Sequence, residues 1–202
     1  YESSRGCPFS CSYCLSSIDK CLRFRDIGLV ERELQFFIDH EVPQVKFVDR
    51  TFNCRHDHAM AVWSYIMEHD RGKTNFHFEI AADLLNEEEI RLINSMRPGL
   101  IQLEIGVQSA NPQTIREICR RMDLEKVQVN TARIRERGNV HQHLDLIAGL
   151  PYEGIQSFAS SFNEVYAMKP EQLQLGFLKV LKGSPMYRQA QGYGIAWRGC
   201  PP

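Results

Sequence analysis

Several features that would mark other classes of protein are missing from this sequence. Among its 202 residues, no apolar run approaches the roughly 20 that cross a bilayer, and no charged-then-apolar export segment stands at its beginning. Neither sign of charge dominates, because 24 lysines and arginines face 25 aspartates and glutamates. We therefore predict no membrane partner, expect a cytoplasmic protein, and find no basic field that would favour nucleic acid as a partner.

The bulk composition is that of an ordinary folded protein. Hydrophobic residues make up 43% of the sequence and aromatic residues 10%, which is enough for one sizeable core. The sequence opens at Tyr1 without a methionine and stops at Pro202. We expect one domain over residues 1–202, cut from a longer protein.

Cysteine is the residue type with the most uneven distribution. Cys7, Cys11 and Cys14 lie together, and no fourth cysteine or histidine stands close enough to complete an obvious tetrahedral site. Thiolates bind zinc or iron–sulfur clusters, and structural zinc usually takes four protein ligands. Three cysteines on a four-iron cluster would leave one iron open. The other four cysteines are expected to be passive thiols: Cys21, Cys54, Cys119 and Cys200.

Short stretches rich in β-branched and aromatic residues alternate with longer stretches of helical periodicity. This alternation is typical of βα units around a parallel sheet. The predicted strands are 1–5, 45–49, 76–81, 101–108, 140–147 and 173–180. The predicted helices are 29–39, 58–70, 87–96, 112–119, 124–138 and 155–168. We interpret the chain as an α/β protein, an incomplete (β/α)6 TIM-like barrel of parallel strands with outer helices.

Helix boundary signals support this interpretation. Asn86 precedes a run of three glutamates as an N-cap would, Asn111-Pro112 places proline in a first helical turn, and Gly138 follows an arginine-rich helix.

One face of several predicted strands is polar, which is unusual for a parallel sheet buried on both sides. Side chains alternate along a strand, so three sets of polar residues each share a face: Gln102, Glu104, Gly106 and Gln108; His77 and Glu79; and His141, His143 and Asp145. These faces are predicted to line a common active-site cavity. The alternative is that they hydrogen-bond one another as structure, which leaves a cost of about 1–3 kcal/mol for each unpaired group.

The stretch Cys7-Pro-Phe-Ser-Cys11-Ser-Tyr-Cys14 resembles the CxxxCxxC signature of the radical S-adenosylmethionine (radical SAM) superfamily. The blocks 104–112 and 144–151 resemble those of the branch with coproporphyrinogen-type oxidases, methylthiotransferases and cobalamin-binding members. Blocks 45–53 and 77–83 are most similar to members that carry an N-terminal cobalamin-binding domain. No such domain lies within these residues.

The resemblance implies a set of cofactors and a reaction. Cys7, Cys11 and Cys14 would hold a 4Fe-4S cluster, and the amino and carboxylate groups of SAM would bind its open iron. One electron would cleave SAM and release a 5′-deoxyadenosyl radical that attacks a substrate not identified by the sequence. The implied partners are a one-electron reductant, such as flavodoxin or ferredoxin, and that substrate. Cobalamin, where used, would be bound by a domain outside this chain, for transfer of a methyl group.

The resemblance also implies roles for single residues. Glu79 would meet the ammonium group of SAM, and Gln108 and Asp145 would bind its ribose hydroxyls. Arg120 would reach the carboxylate, which suits its planar pair of donors, and Tyr13 would lie beside the adenine.

One segment departs from the family pattern. Many members have a Gly-Gly-Glu-type turn after the second strand, where this chain reads Val48-Asp49-Arg50-Thr51. Asp49 would either replace that carboxylate or turn toward substrate, and Arg50 could instead form a surface salt bridge.

Two other functions stay open at this point. A non-catalytic metal module for partner binding would need a fourth protein ligand, for which Cys21 is the nearest thiol. An enzyme like the tRNA-modifying methylthiotransferases would be expected to carry an RNA-binding extension. Purely structural roles also remain for Glu104, His141 and His143.

Overall fold

The computed structural model describes residues 1–196, so the predicted passive thiol Cys200 lies outside the described residues. The strands are β1 (Ser4–Arg5), β2 (Arg23–Phe24), β3 (Gln44–Lys46), β4 (Asn75–Ile80), β5 (Ile101–Gln108), β6 (His141–Ala148) and β7 (Gln172–Phe177). The helices are α1 (Ile27–Asp39), α2 (His56–His69), α3 (Glu87–Ser95), α4 (Pro112–Glu117), α5 (Leu124–Arg135), α6 (Ile155–Ala167) and α7 (Pro185–Gln189).

Strands β3 to β7 form one parallel sheet in chain order, curled into a half-barrel with flanking helices. This confirms the predicted α/β class and incomplete barrel, with five parallel strands among the described residues instead of the six predicted. A helix connects each of these strands to the next through a crossover, which is the connection that parallel pairing requires.

The predicted first strand, residues 1–5, differs most from the structure. Only Ser4 and Arg5 are extended strand, and they pair antiparallel with β2 outside the main sheet. Tyr1 instead lies against the first strand of the sheet, where its amino group donates to Lys46 O at 2.8 Å and its carbonyl accepts from Val48 N at 2.8 Å. The start of the chain therefore covers the sheet edge with two bonds and then turns away.

The predicted helix starts at Asn86 and Asn111 are confirmed, whereas α5 ends at Arg135, three residues before Gly138. Asn86 and Glu89 form a reciprocal capping box at the start of α3. The Asn111 side chain accepts from Gln113 N at 2.9 Å at the start of α4, with Pro112 in the first turn. Helix α7 was not predicted, since five residues are too few to show a helical period.

The core lies between the helices and one face of the sheet. Its largest side chains form an aromatic group of Phe47, Phe52, Trp63 and Phe78, all with no exposed surface. Burying one such ring stabilises the fold by about 1.5–3 kcal/mol. Because the apolar face of the sheet is used here, the polar face is left to line the interior of the half-barrel. Within residues 1–196, no helix combines the length and apolarity needed to cross a bilayer.

Candidate functional site

A cavity of about 220 Å³ lies where the carboxyl ends of the strands meet the loop that carries the clustered cysteines. Parallel barrels place their sites at this end of the strands. Eight of the nine predicted site residues line it: Cys7, Cys11, Tyr13, Cys14, Glu79, Gln108, Arg120 and Asp145. The structure thus brings together residues that are far apart in the chain.

The cysteine loop is held by backbone contacts on both sides. Cys7 N donates to Asp19 O at 3.1 Å, and Ser12 N donates to Ile118 O at 2.8 Å, which ties the loop to the end of α4. Cys7 and Cys11 are buried and Cys14 is half-buried. No disulfide joins the cysteines of the described residues. The three thiols that line the cavity therefore stand on one loop whose backbone is held in place.

Gly6 is required for the path of this loop. Its φ is 96°, a left-handed conformation that favours glycine, and an added Cβ would overlap the backbone carbonyl of Cys21. Cys21 itself is exposed and does not line the cavity. The backbone of Cys21, rather than its thiol, serves the site by packing against the loop.

Arg120 reaches the cysteine loop from the segment after α4. Its Nη1 donates to Tyr13 OH at 3.4 Å and contacts Cys11 Sγ at 3.8 Å, while Nη2 donates to Gly106 O. Its Nε is buried and has no hydrogen-bond partner within residues 1–196. A buried guanidinium with an unused donor favours binding of an anionic group in the cavity.

Glu79 and Glu104 lie side by side, because their residues are paired across β4 and β5. Lys46 Nζ donates to Glu104 Oε2 at 3.0 Å, and His77 Nε2 lies 3.0 Å from the same oxygen. His77, followed by Lys46, lowers the pKa of Glu104 to about 2. Burial and the neighbouring Glu104 raise the pKa of Glu79. Glu104 is thus the carboxylate kept ionised by its two basic neighbours, whereas the charge on Glu79 is less well compensated and would be stabilised by a cationic ligand.

Asp145 lies on the next strand, with its residue paired to Gly106. Its Oδ1 is 3.1 Å from His143 Nε2, yet neither atom makes a well-aligned hydrogen bond to a described residue. Burial, helped by Glu104, raises the pKa of Asp145 to about 7, and burial lowers the pKa of His143. Asp145 can therefore hold a proton near neutral pH and donate a hydrogen bond to a hydroxyl oxygen.

Gln108 ends β5 in an uncommon conformation. Its φ is 74°, a value that costs energy for a residue with a side chain. The pairing with β6 shifts register between Gly106 and Gln108, and this bulge turns the Gln108 side chain into the cavity. Gly106 leaves the space that the Gln108 amide occupies.

The structure does not bring Asp49 to the cavity with the other predicted residues. Its carboxylate has no exposed surface and accepts from Ser3 Oγ at 2.8 Å and Ser4 Oγ at 2.5 Å. These hydrogen bonds hold the carboxylate of Asp49 among buried residues, so it points away from the cavity. Arg50 and Thr51, the next two residues, line the cavity instead.

A second cavity of about 390 Å³ adjoins the first and shares Tyr13, Gln108 and Asp145 with it. Its apolar wall was missed by sequence analysis and consists of Leu15, Leu146, Ile147, Phe177, Leu178 and Leu181. These residues come from the cysteine loop, β6, the end of β7 and the segment that follows it, and no local motif connects them.

The first cavity offers three thiols as soft ligands. In residues 1–196, no three His, Cys, Asp or Glu side chains are grouped so that they could hold one metal ion. Three thiols around one cavity match the soft ligands of an iron–sulfur centre. The cluster that the sequence implied therefore fits the residues present.

Comparison with known proteins agrees with this geometry. The family model of the radical SAM superfamily matches residues 1–165. The cobalamin-dependent radical SAM methyltransferase TokK of Streptomyces tokunonensis is 23% identical over 207 residues, covering 96% of this chain and 30% of TokK. The oxygen-independent coproporphyrinogen-III oxidase-like protein HemZ of Bacillus subtilis is 29% identical over 116 residues, covering 57% of this chain and 23% of HemZ.

Solved structures share the fold. The radical SAM methyltransferase TsrM from Kitasatospora setae superposes with a TM-score of 0.79 at 16% identity, over 92% of this chain and 36% of TsrM. The coproporphyrinogen III oxidase HemN of Escherichia coli gives a TM-score of 0.63 at 19% identity, over 88% of this chain and 43% of HemN. The chain spans less than a third of the curated relatives named above. The family match over residues 1–165 shows that the chain belongs to the radical SAM superfamily.

Proposed function

We propose that the protein containing this chain is a radical SAM enzyme whose Cys7, Cys11 and Cys14 hold a 4Fe-4S cluster next to bound SAM. The observation that carries this proposal is that the three thiols and the polar ends of β4, β5 and β6 line one cavity. Membership of the superfamily supports the same reading.

The residues of the first cavity suit the amino-acid part of SAM. Arg120 presents guanidinium donors for the carboxylate, including the buried Nε that has no partner among the described residues. Glu79 lines the same cavity and suits the ammonium group, although Lys46 Nζ lies only 3.9 Å from its Oε1. The opposite charges of Arg120 and Glu79 would fix the orientation of the amino-acid part of SAM in the cavity.

The second cavity suits the nucleoside part of SAM. Gln108 and Asp145 stand where the two cavities join, and both can hydrogen-bond ribose hydroxyls. The apolar wall beyond them, with Ile147 and Leu178, would pack against a planar base. Tyr13 borders both cavities, which supports its predicted place near the adenine.

When bound, a reduced cluster of this kind supplies the single electron that cleaves the carbon–sulfur bond of SAM. The protein's own task is to orient SAM and exclude water from the cavity. A one-electron reductant such as flavodoxin or ferredoxin would be the partner.

The test is production of 5′-deoxyadenosine by the anaerobically purified protein after loading with iron and sulfide, reduction and addition of SAM. Cys14→Ala should abolish the product and lower bound iron. Cys21→Ala is the matched control, because its thiol is exposed and outside the cavity, and it should behave as the parent. Zinc in place of iron after anaerobic loading, or loss of the cluster in Cys21→Ala, would refute the proposal.

We further propose methyl transfer with cobalamin as the reaction of the full protein. Similarity to TokK, a cobalamin-dependent radical SAM methyltransferase, supports it, as does the shared fold with TsrM, whose structure holds cobalamin and a [4Fe-4S] cluster. The test is cobalamin binding by the full protein and transfer of label from methyl-labelled SAM. Turnover without cobalamin would instead favour an oxidase like HemN.

A further inference from the structure

The segment between β3 and α2 is fixed to the rest of the protein at its beginning. Asp49, which is fully buried, accepts hydrogen bonds from Ser3 N at 3.1 Å, Ser3 Oγ at 2.8 Å and Ser4 Oγ at 2.5 Å. Ser3 Oγ also lies 2.9 Å from His58 Nε2. Because Cys7 follows three residues after Ser4, these bonds tie the approach to the cysteine loop to this segment.

The end of the same segment is fixed as firmly. Phe52 is fully buried, with its ring centre 4.4 Å from that of Phe78 and 5.4 Å from that of Trp63. Asn53 donates through Nδ2 to Ala81 O and accepts through Oδ1 from Ala81 N, each at 2.9 Å. The backbone between Asp49 and Asn53 therefore has little freedom to move.

Thr51 lies in the middle of this fixed segment and faces a cysteine. Its Oγ1 is 3.8 Å from Cys7 Sγ, and the residue is 8% exposed. Thr51 precedes a 3₁₀ turn at Phe52–Cys54, where a threonine side chain would commonly cap the turn, but it makes no capping bond. Its hydroxyl instead donates to Arg50 O at 2.8 Å. The hydroxyl is thus presented to the sulfur and not used by the turn.

We propose that Thr51 donates a hydrogen bond to the sulfur of Cys7 when that residue ligates the cluster, and thereby raises the cluster's reduction potential. This inference rests on the proposed function. A ligating cysteine is a thiolate and can only accept, so the hydroxyl proton turns from Arg50 O to Cys7 Sγ. Hydrogen bonds to cluster sulfurs are one way a protein sets the potential. A donor withdraws electron density from the sulfur and favours the reduced, more negative cluster.

The experiment is a redox titration of the cluster in the full protein without SAM. Electron paramagnetic resonance reports the fraction of reduced cluster at each potential. Thr51→Val replaces the hydroxyl by a methyl group at nearly the same volume, and Thr51→Ser keeps the hydroxyl. We expect a lower potential in Thr51→Val and an unchanged one in Thr51→Ser. Thr74→Val removes another buried threonine hydroxyl away from the cavity and should leave the potential unchanged.

The outcomes separate this inference from the proposed function. A parent protein that binds no four-iron cluster overturns both. Two results with a parent that does bind the cluster would overturn the role of Thr51 alone. One is an unchanged potential in Thr51→Val, and the other is a shift in Thr51→Ser as large as that in Thr51→Val. Iron content is measured in every variant. If Thr51→Val binds too little iron, Thr51→Ala removes the same hydroxyl and replaces it in the comparison. A potential of Thr51→Ala equal to that of the parent would then overturn the inference.

Discussion

Arg120 Nη1 lies 3.8 Å from Cys11 Sγ, although 109 residues separate the two in the sequence. The contact exists because the end of α4 carries Ile118, whose carbonyl accepts from Ser12 N at 2.8 Å. That backbone bond brings the segment after α4 against the cysteine loop. A cation is thus placed beside a predicted cluster ligand and at the edge of the predicted SAM site.

Arg120→Lys should weaken SAM binding while leaving the cluster in place. Lysine keeps the charge but loses the planar pair of donors, and losing one charged hydrogen bond costs about 1.5–3 kcal/mol. The dissociation constant of SAM should therefore rise by about 10- to 100-fold. Equilibrium binding of SAM to the reconstituted protein measures this.

Arg116→Lys on α4 is the matched control for that experiment, since Arg116 is exposed and does not line the cavity. It should bind SAM as the parent does. Unchanged SAM affinity in Arg120→Lys, with normal iron content in both variants, would contradict the assigned role of Arg120.

The stability of the ligand-free protein should depend on Asp145 in a defined direction. The pKa of Asp145 is raised from 3.8 to about 7 by burial, so between these values the folded state holds a proton that the unfolded state releases. Stability falls with rising pH wherever the folded state binds more protons. This group should lower the free energy of unfolding by at most about 1.4 kcal/mol per pH unit from about pH 4 to about pH 7.

Asp145→Asn removes that titration. Relative to the parent, its free energy of unfolding in urea should increase as the pH rises from 4 to 8. Gln113→Ala changes an exposed side chain that carries no titratable group, so its free energy of unfolding should stay parallel to that of the parent over the same range. A constant difference between Asp145→Asn and the parent at all pH values would argue against the raised pKa.

The titration of Asp145 should respond more to Glu104 than to Glu79. After burial, Glu104 is the largest cause of the raised pKa of Asp145, through repulsion and a hydrogen bond, and Glu79 contributes less. Glu104→Gln should therefore lower the pKa of Asp145 from about 7 without restoring its ordinary value of 3.8, because burial remains. Glu79→Gln should lower it by a smaller amount. The carboxyl ¹³C chemical shift of Asp145, recorded against pH, measures its pKa in both variants. If Glu79→Gln lowered this pKa as much as Glu104→Gln or more, Glu104 would not be the stronger influence.

Much of the fold could be predicted because its signals are local. Strand β5 matches its predicted bounds, since apolar and polar residues alternate over all eight positions from Ile101 to Gln108. The same alternation predicted which carboxylates share a face. Residues 1–5 are predicted as one strand, but Ser4 and Arg5 pair with β2 while Tyr1 contacts Lys46 and Val48, and no local pattern records these distant partners.

The site was predictable only in part for the same reason. Cys7, Cys11 and Cys14 form one motif, and the polar residues of the strands follow from period-two alternation. The direction of the Asp49 side chain depends on Ser3 and Ser4, 46 and 45 residues away. The role of a residue that follows a strand is set by the turn of the backbone there, and residue type alone does not determine that turn.

Gly106 should contribute to SAM binding because it leaves room for the Gln108 side chain. A Cβ at this position would overlap the Gln108 amide and would lie 3.5 Å from Arg120 Nη2. The amide is the far end of a flexible side chain, so Gly106→Ala should fold but turn Gln108 away from the place predicted for ribose. Losing one hydrogen bond, at about 0.5–1.5 kcal/mol, should raise the dissociation constant of SAM by about 2- to 10-fold. Gly154→Ala, where a Cβ meets no atom within 4 Å, is the matched control.

A double-mutant cycle decides whether Gly106 acts through Gln108. Gln108→Ala alone should weaken SAM binding by a similar factor, because it removes the same hydrogen bond. In the Gln108→Ala background, Gly106→Ala should then have little further effect, since the amide that the added methyl group displaces is gone. Additive losses of affinity would mean that the methyl group acts directly on SAM or on Arg120, because independent effects sum in such a cycle.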